Sequence, residues 1–245
     1  MATTPAVSII VPTYCEALRL PTTLRALLDG LGEHLDGVWE IVVSDDGSID
    51  DTAGVADDFA RLDDHVRVVR SATNRGKGAA IVTGWAVARG DRVVLLDADL
   101  PVSLATIGAL VAAADGAALV LGTRRGRSAT DDGGRGRAQP LGRWVGGRVF
   151  LALLRLLGLR VASDPQCGIK VLRRHELDPI VTACLSERFA FDVELIRRTL
   201  DAGCSVTEVP VVWRHVPGSS VHPIRDGVRT ALDLAALRRV VRSVD

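Results

Sequence analysis

The sequence predicts an α/β fold in which a mainly parallel sheet is flanked by helices. Apolar runs rich in Val, Ile and Leu recur near residues 7–11, 39–44, 66–70, 92–97 and 118–122. Helical patterns alternate with these runs, and that alternation is typical of a parallel sheet with helices on both faces. Because 47% of the 245 residues are hydrophobic, the chain can bury a full core, and we expect a single domain.

Polar residues follow the first predicted strand, in residues 12–16. In an open α/β sheet, ligands bind at the carboxyl ends of the strands. The ring of Tyr14 could stack on a base, and the carboxylate of Glu16 could accept a hydrogen bond from a ribose or a base. The first strand end is therefore a candidate nucleotide site.

An acidic segment, residues 45–52, follows the second predicted strand. It predicts a tight turn and a helix that begins near Thr52, with Asp50 or Asp51 able to cap it. Capping needs one carboxylate, so Asp45 and Asp46 remain close to the strand end, where a base or ribose would lie.

Lys77 stands between two glycines after the third predicted strand. The spacing GxxxxGK[ST] is absent and no GxGxxG follows a strand, which excludes a P-loop and a dinucleotide-binding fold. We expect Lys77 to contact a donor phosphate or ribose at a helix start, where the glycines allow close approach. The alternative is a solvated lysine on the first helical turn.

Two carboxylates, Asp97 and Asp99, follow the fourth predicted strand. Their hard oxygen ligands suit Mg²⁺ or Mn²⁺. Such a cation neutralises the phosphates of a nucleotide and stabilises the charge on a departing diphosphate. Many Asp pairs in surface turns bind nothing, but the position after a buried strand favours a metal site. The pair predicts a transferase that uses an activated donor.

The net charge of zero hides an asymmetry between the two halves of the chain. Residues 1–123 carry 17 acidic and 9 basic side chains, whereas residues 124–245 carry 13 acidic and 21 basic ones. Seven arginines lie in residues 124–148. The second half is expected to face an anion or an acidic surface. Nucleic acid is disfavoured because this basic stretch lacks a repeated pattern of interleaved aromatic residues and no nucleic-acid recognition module is recognisable.

Two arginine-rich apolar segments, residues 141–159 and 227–241, resemble amphipathic helices that lie in a membrane interface. Helices packed on the domain core are the alternative for each.

Residues 128–136 predict a loop, either a lid over the donor or a linker. No run reaches the ~18 apolar residues of a spanning helix, and the first residues lack the pattern of a signal peptide. Four cysteines without a CxxC pair indicate reduced thiols. We expect a cytoplasmic protein, peripherally associated with the inner face of the cell membrane.

Taken in order, these motifs resemble the family 2 glycosyltransferases, which have the GT-A fold. The resemblance covers roughly residues 5–238. Its later motifs look like the branch of dolichyl-phosphate glucosyltransferases and polyprenyl-phosphate mannosyltransferases, and residues 219–223 are closer to the glucosyl members. The segments that carry it are residues 11–16, 45–52, 74–78, 97–99, 164–170, 188–195 and 208–213.

The resemblance implies a donor site in residues 1–123. The base and ribose would be held by Pro12, Tyr14, Glu16, Asp45 and Asp46. The diphosphate and a Mg²⁺ or Mn²⁺ cofactor would lie at Asp97, Ala98 and Asp99, beside Lys77.

The resemblance implies an acceptor site in residues 124–245. Arg124, with Arg137 or Arg143, would bind the diphosphate or the acceptor phosphate. The sugar would lie near the segment that holds Asp164, Gln166 and Lys170, although Asp164 could equally form only a turn.

Asp192 occupies the position where related inverting enzymes place a base or a sugar-binding carboxylate. A lipid phosphate is already ionised at neutral pH, so Asp192 would orient the acceptor or the sugar instead of removing a proton. The alternative is a carboxylate favoured by the dipole at a helix N-terminus.

The function implied is inverting, metal-dependent transfer of a hexose, with UDP-glucose the favoured donor, to a polyprenyl or dolichyl phosphate. A GDP-mannose donor is the nearest alternative, and a soluble hydroxyl acceptor is the next. A nucleotide-sugar-binding regulatory protein is the alternative from outside the enzymes.

Overall fold

The central feature of the fold is one mixed sheet. The computed structural model describes residues 4–124, 154, 161–213, 230 and 233. In those residues the strands are β1 Val7–Thr13, β2 Trp39–Asp45, β3 Val66–Arg70, β4 Arg92–Leu96, β5 Leu119–Thr123, β6 Ile169–Arg173 and β7 Val206–Pro210. The helices are α1 Leu20–Gly30, α2 Thr52–Leu62, α3 Lys77–Val87, α4 Leu104–Ala113, α5 Arg174–Thr182 and α6 Phe191–Asp201, with a 3₁₀ turn at Leu31–Glu33.

The seven strands of this sheet lie in the order β3-β2-β1-β4-β6-β5-β7. Neighbours pair in parallel, except that β6 runs antiparallel to both β4 and β5. The predicted α/β fold with a mainly parallel sheet is therefore confirmed. Because β6 lies between β4 and β5, the described parts of residues 1–123 and 124–245 share one sheet.

Two strands, β6 and β7, were not predicted. The second residue of β6 is the charged Lys170, and this charge interrupts the apolar run. β7 lies at the edge of the sheet and is largely exposed, so its sequence lacks the pattern of a buried strand.

The core lies on both faces of the sheet. Successive strand residues point to opposite faces, so Ile9 belongs to the core cluster that includes residues of α1, α2 and α4, whereas Ile10 belongs to the cluster that includes residues of α3, α5 and α6. Both side chains are fully buried, and each burial is worth roughly 1.5–3 kcal/mol. Burial on two faces explains why the central strands are continuous apolar runs instead of alternating ones.

Helix α2 begins at Thr52, as the acidic segment predicts. Asp51 occupies the N-cap position, but its side chain makes no capping hydrogen bond. The carboxylate of Asp50 accepts from the backbone N–H of Thr52 at 3.1 Å instead. Of the two predicted caps, Asp50 is therefore the one that forms. Across the described ranges no helix combines the length and apolarity that crossing a bilayer requires.

A buried carboxylate, Glu40, links β1, β2 and β3 near their amino ends, on the side of the sheet opposite to the strand ends that carry the motifs. It accepts from the hydroxyl of Ser8 at 2.7 Å, from the backbone N–H of Arg89 at 2.7 Å and from Nη1 of Arg67 at 3.0 Å. Burial opposes ionisation, but the hydrogen bonds from Ser8 and Arg89 outweigh it and lower the pKa of Glu40. Glu40 therefore stays ionised with 1% of its side chain exposed.

Replacing Glu40 by Gln should lower the free energy of unfolding by roughly 1–3 kcal/mol at pH 7, because buried donors lose a charged acceptor. Since folding lowers the pKa of Glu40, this stabilisation is complete above the ordinary value of 4.5 and is lost as pH falls through the folded pKa. Urea unfolding of both proteins at pH 7 and pH 3 measures the difference. A gap as wide at pH 3 as at pH 7 would contradict this assignment.

Candidate functional site

The carboxyl ends of β1, β2 and β4 meet at one edge of the sheet, and their loops form the candidate site. Two non-glycine residues in the described part of the chain have positive φ, Cys15 at 56° and Leu100 at 44°. Both lie in these loops. Such backbone is strained for a residue with a side chain, and strain of this kind clusters at functional sites.

The turn after β4 is held from three directions. The N–H of Asp97 donates to the carbonyl of Gly168 at 3.0 Å, and the N–H of Leu100 donates to the carbonyl of Asp97 at 3.2 Å. The hydroxyl of Thr23 in α1 donates to the carbonyl of Ala98 at 2.6 Å. The methyl group of Ala98 is buried, so this residue acts through its backbone and fixes the carboxylates on either side.

Asp97 and Asp99 differ in their partners. An oxygen of Asp97 lies 2.7 Å from the ammonium of Lys77. Oδ1 of Asp99 is buried without a hydrogen-bond partner, and it is the one such side-chain atom in the part of the chain that the structure describes. Burial, and next the charge of Asp97, raise the pKa of Asp99. An unpartnered buried carboxylate oxygen calls for a donor or a cation.

A divalent cation fits this pair of carboxylates. No cluster of three or more His, Cys, Asp or Glu that could hold a metal occurs in the described ranges. Asp97 and Asp99 would therefore supply two carboxylates and leave the other positions to phosphate oxygens and water. That arrangement is the usual one for Mg²⁺ at nucleotide sites.

Gly168 makes the close approach to Asp97 possible. A Cβ at this position would overlap Oδ2 of Asp97 and lie 2.9 Å from the ring of Trp213. Gly168 lies in the motif at residues 164–170, and no role was predicted for it. Nothing in the sequence shows that a carboxylate from a distant loop packs on this backbone.

Lys77 is the first residue of α3, at the same edge. Burial alone would lower its pKa, but the carboxylates of Asp97 and Asp192 outweigh that effect and raise the pKa of Lys77. The ammonium is therefore charged at neutral pH. Only two lysines occur in the chain, against 28 arginines, and the second is Lys170.

Lys170 and Asp192 form a buried ion pair behind the site. The ammonium of Lys170 lies 2.7 Å from Oδ1 of Asp192 and donates to the carbonyl of Cys167 at 2.8 Å. The side chains are 2% and 4% exposed. Both were predicted to contact substrate, yet each finds its partner inside the protein, and Asp192 lies in the first turn of α6.

Arg124 and Asp164, predicted for different ligands, bind each other. The carboxylate of Asp164 accepts from the backbone N–H, Nε and Nη2 of Arg124 at 3.0, 2.7 and 2.6 Å. Burial opposes ionisation of Asp164, but Arg124 outweighs it and lowers its pKa. The guanidinium also lies 5.2 Å from the ring centroid of Trp213, a cation–π distance. Gln166 is half-buried in the same segment.

The segment after β1 contributes the exposed aromatic ring of Tyr14 and an ion pair between Glu16 and Arg19. Tyr14 is 36% exposed, so its ring is accessible, and Pro12 beside it is half-buried. Glu16 accepts from Nε and Nη2 of Arg19 at 2.6 and 2.7 Å. Burial raises the pKa of Glu16 despite Arg19, and the charge of Asp99 adds to the rise. Arg19 had no assigned role, and no sequence signal indicates one.

Asp45 and Asp46 are buried and hold backbone. Asp45 accepts from the N–H of Ser48 at 3.3 Å and from its hydroxyl. Asp46 accepts from the N–H groups of Arg75 at 3.1 Å and Gly76 at 2.6 Å. Both carboxylates were predicted to remain free for a nucleotide. In the structure their oxygens already have donors. The turn after β2 folds back on Asp45, and the segment before α3 donates to Asp46.

Several predicted features lie outside the described residues. They are Arg137, Arg143, the loop at residues 128–136 and nearly all of the segments at residues 141–159 and 227–241.

Residues 8–177 match the family described as Glycosyl transferase family 2. A dolichyl-phosphate beta-glucosyltransferase of Drosophila melanogaster is 31% identical over 242 residues, covering 93% of this chain and 72% of that protein. Its Homo sapiens counterpart is 29% identical over 248 residues, covering 96% and 75%. Glycosyltransferase AglD of Haloferax volcanii is 29% identical over 229 residues, and the chain spans only 35% of that protein.

Solved structures share the fold. Glucosyl-3-phosphoglycerate synthase from Mycobacterium tuberculosis, solved with Mn²⁺, UDP-glucose and phosphoglyceric acid, has a TM-score of 0.64 and 21% identity, covering 95% of this chain and 80% of that one. The GT-A type of fold implied by the motifs is thereby confirmed. With the family match over residues 8–177 and relatives aligned over more than nine tenths of its length, this chain belongs to the family 2 glycosyltransferases.

Proposed function

We propose that this enzyme transfers glucose from a nucleotide sugar, with UDP-glucose the favoured donor, to a polyprenyl or dolichyl phosphate. The observation that carries the proposal is the carboxylate pair Asp97 and Asp99, with one buried oxygen unpartnered, beside the ammonium of Lys77. The names of the relatives that align over most of the chain support the sugar and the acceptor. The enzyme would work as one domain, with donor residues in 1–123 and acceptor residues in 124–245, on the inner face of the cell membrane.

The reaction exchanges one bond for another at C1 of glucose. An oxygen of the acceptor phosphate forms a bond to C1, while the bond from C1 to the donor diphosphate breaks and its electrons leave with the diphosphate. Attack from the face opposite to the leaving group inverts C1. Because the acceptor phosphate is ionised at neutral pH, no residue has to remove a proton from it.

Asp97 and Asp99 would hold a divalent cation, Mg²⁺ or Mn²⁺, which supplies positive charge to the departing diphosphate when bound. Lys77, fixed at Asp97, would bring a second positive charge to the same phosphates. Tyr14 and Glu16 would contact the base and ribose. Charge that is in place before the reaction stabilises the transition state without reorganisation at the moment of bond breaking.

Asp192 would orient the acceptor or the sugar and would not remove a proton from the acceptor. Its carboxylate is buried against Lys170 and acts electrostatically on Lys77. We infer that this buried pair fixes the positions of the charged groups at the sheet edge. Arg124, held by Asp164, would present its guanidinium to the diphosphate or acceptor phosphate, with Gln166 near the sugar.

The direct test incubates the purified protein and Mn²⁺ or Mg²⁺ with labelled UDP-glucose or GDP-mannose, each with and without a polyprenyl phosphate. Labelled lipid from UDP-glucose is the expected product. Label from GDP-mannose would favour the mannosyl alternative, and label on a soluble acceptor alone would overturn the lipid acceptor. Nucleotide-sugar binding without turnover would favour the regulatory protein.

Asp99→Asn should leave the fold intact and lower turnover by ~10² or more, because it removes one charged ligand of the metal. Calorimetric titration of UDP with Mn²⁺ should show weaker binding in the variant. Asp58→Asn, at an exposed pair with Arg61, is the matched control and should behave as wild type. Near-wild-type turnover of folded Asp99→Asn at saturating metal would refute the ligand role.

Asp192→Asn should lower turnover by about 10-fold to 100-fold with little change in nucleotide affinity. The substitution displaces the charged groups near Asp192 but leaves the nucleotide-binding surface intact. If the Lys170 pair is the cause, Asp192→Asn combined with Lys170→Met should lose little more than the single variant. Single-turnover kinetics and UDP calorimetry separate the two effects. A large loss of UDP binding with unchanged turnover would instead assign Asp192 to the nucleotide.

Membrane contact is the proposed role of the basic second half of the chain. On an anionic bilayer each basic residue near the surface contributes on the order of 1 kcal/mol. Replacing Arg238, Arg239 and Arg242 by Gln should therefore weaken sedimentation with anionic liposomes at low salt and leave UDP binding unchanged. Equal sedimentation of the wild type with neutral and anionic liposomes would exclude electrostatic attachment.

A further inference from the structure

Glu194 carries a buried charge that the reaction described above does not use. It lies in the first turn of α6 with 0% of its side chain exposed. Its oxygens accept from the N–H of Leu185 at 3.0 Å, from the N–H of Ser186 at 2.7 Å and from Nε of Arg198 at 2.8 Å. This fully buried carboxylate thus binds the backbone of a surface segment, residues 185–188.

Residues 185–188 pack directly on the start of α3. The carbonyl of Glu187 accepts from the N–H of Ala79 at 3.0 Å. A Cβ at Gly76 would lie 2.6 Å from the carbonyl of Glu187, and a Cβ at Gly78 would lie 2.5 Å from the carbonyl of Ser186. The glycines on both sides of Lys77 are therefore required by this contact, and at Gly76 a φ of 122° requires glycine as well.

Lys77 stands between those two glycines and reaches Asp97. From the other direction, Asp46 holds the N–H groups of Arg75 and Gly76, and the side chain of Arg75 binds Glu187 at 3.0 Å. The first turn of α3 is therefore clamped between two loops. The position of the ammonium follows from where these loops hold the turn.

We propose that Glu194 is a positioning residue: it fixes residues 185–188, these fix the first turn of α3, and that turn presents the ammonium of Lys77 to Asp97. The consequence for catalysis rests on the proposed function, in which Lys77 and Asp97 serve the diphosphate. The mechanical part does not depend on it, because it concerns only contacts within the protein.

The test compares Glu194→Gln with Glu40→Gln. Both changes remove the charge of a buried, hydrogen-bonded carboxylate, but Glu40 lies at the opposite edge of the sheet. In Glu194→Gln an amide replaces one oxygen and meets backbone N–H groups, so residues 185–188 loosen. Any effect of general destabilisation should appear in both variants.

The main readout is amine acetylation followed by mass spectrometry. Since Lys77 and Lys170 are the two lysines of the chain, each reports separately. In Glu194→Gln, Lys77 should label about tenfold faster than in wild type, the scale expected when a buried hydrogen-bonded acceptor is lost, while Lys170 stays unchanged. In Glu40→Gln neither lysine should change. Turnover should fall by ~10² in Glu194→Gln alone, as for a displaced catalytic group.

Arg198→Gln keeps the proposal testable if Glu194→Gln does not fold. It removes one partly exposed donor to Glu194 and should accelerate Lys77 labelling in the same direction by about twofold to fivefold. Unchanged Lys77 labelling in a folded Glu194→Gln or Arg198→Gln, with faster amide exchange at Ser186, would overturn the proposal. If the wild type makes no glycolipid with any donor, the proposed function fails, while Lys77 labelling still decides the role of Glu194.

Discussion

The ion pair between Lys77 and Asp97 is the contact on which the site depends. It joins the first turn of α3 to the turn after β4, with 2.7 Å between ammonium and carboxylate. The pair is partly buried, so its strength depends on geometry and less on salt. Among the described residues, Asp46 holds the backbone just before α3, and the charge of Asp192 acts on the ammonium of Lys77.

Most carboxylates at this edge bind groups of the protein itself. Asp45 and Asp46 hold loop backbone, and Asp164 holds a guanidinium. A carboxylate removed from water needs donors, and backbone N–H groups of neighbouring loops are the nearest ones. Asp99 is the exception among the described residues, since one of its oxygens is buried without a partner. This contrast separates the carboxylates whose donors lie inside the protein from Asp99, which keeps one oxygen without a donor.

Sequence patterns predicted the fold where local signals were strong. Each of the five predicted strands appears within two residues of its predicted bounds. The least apolar of them, β3, is an edge strand that contains two arginines and is only partly buried. Strand β6 was missed because Lys170, its second residue, breaks the apolar pattern. Inside the protein that charge is met by Asp192 and by the carbonyl of Cys167. The N-terminus of α2 was predicted at Thr52, but the choice between Asp50 and Asp51 depended on side-chain geometry that composition does not contain.

The sequence by itself determined the α/β class, the motif order of the family and the three strand ends at which the candidate carboxylates lie, because these follow from local apolar runs and short motifs. Only the tertiary structure decided which charges meet. Arg124 and Asp164 are 40 positions apart and Arg75 and Glu187 are 112 apart. Ion pairing depends on distance in space, and folding, not sequence spacing, sets that distance when partners come from different loops of one sheet edge.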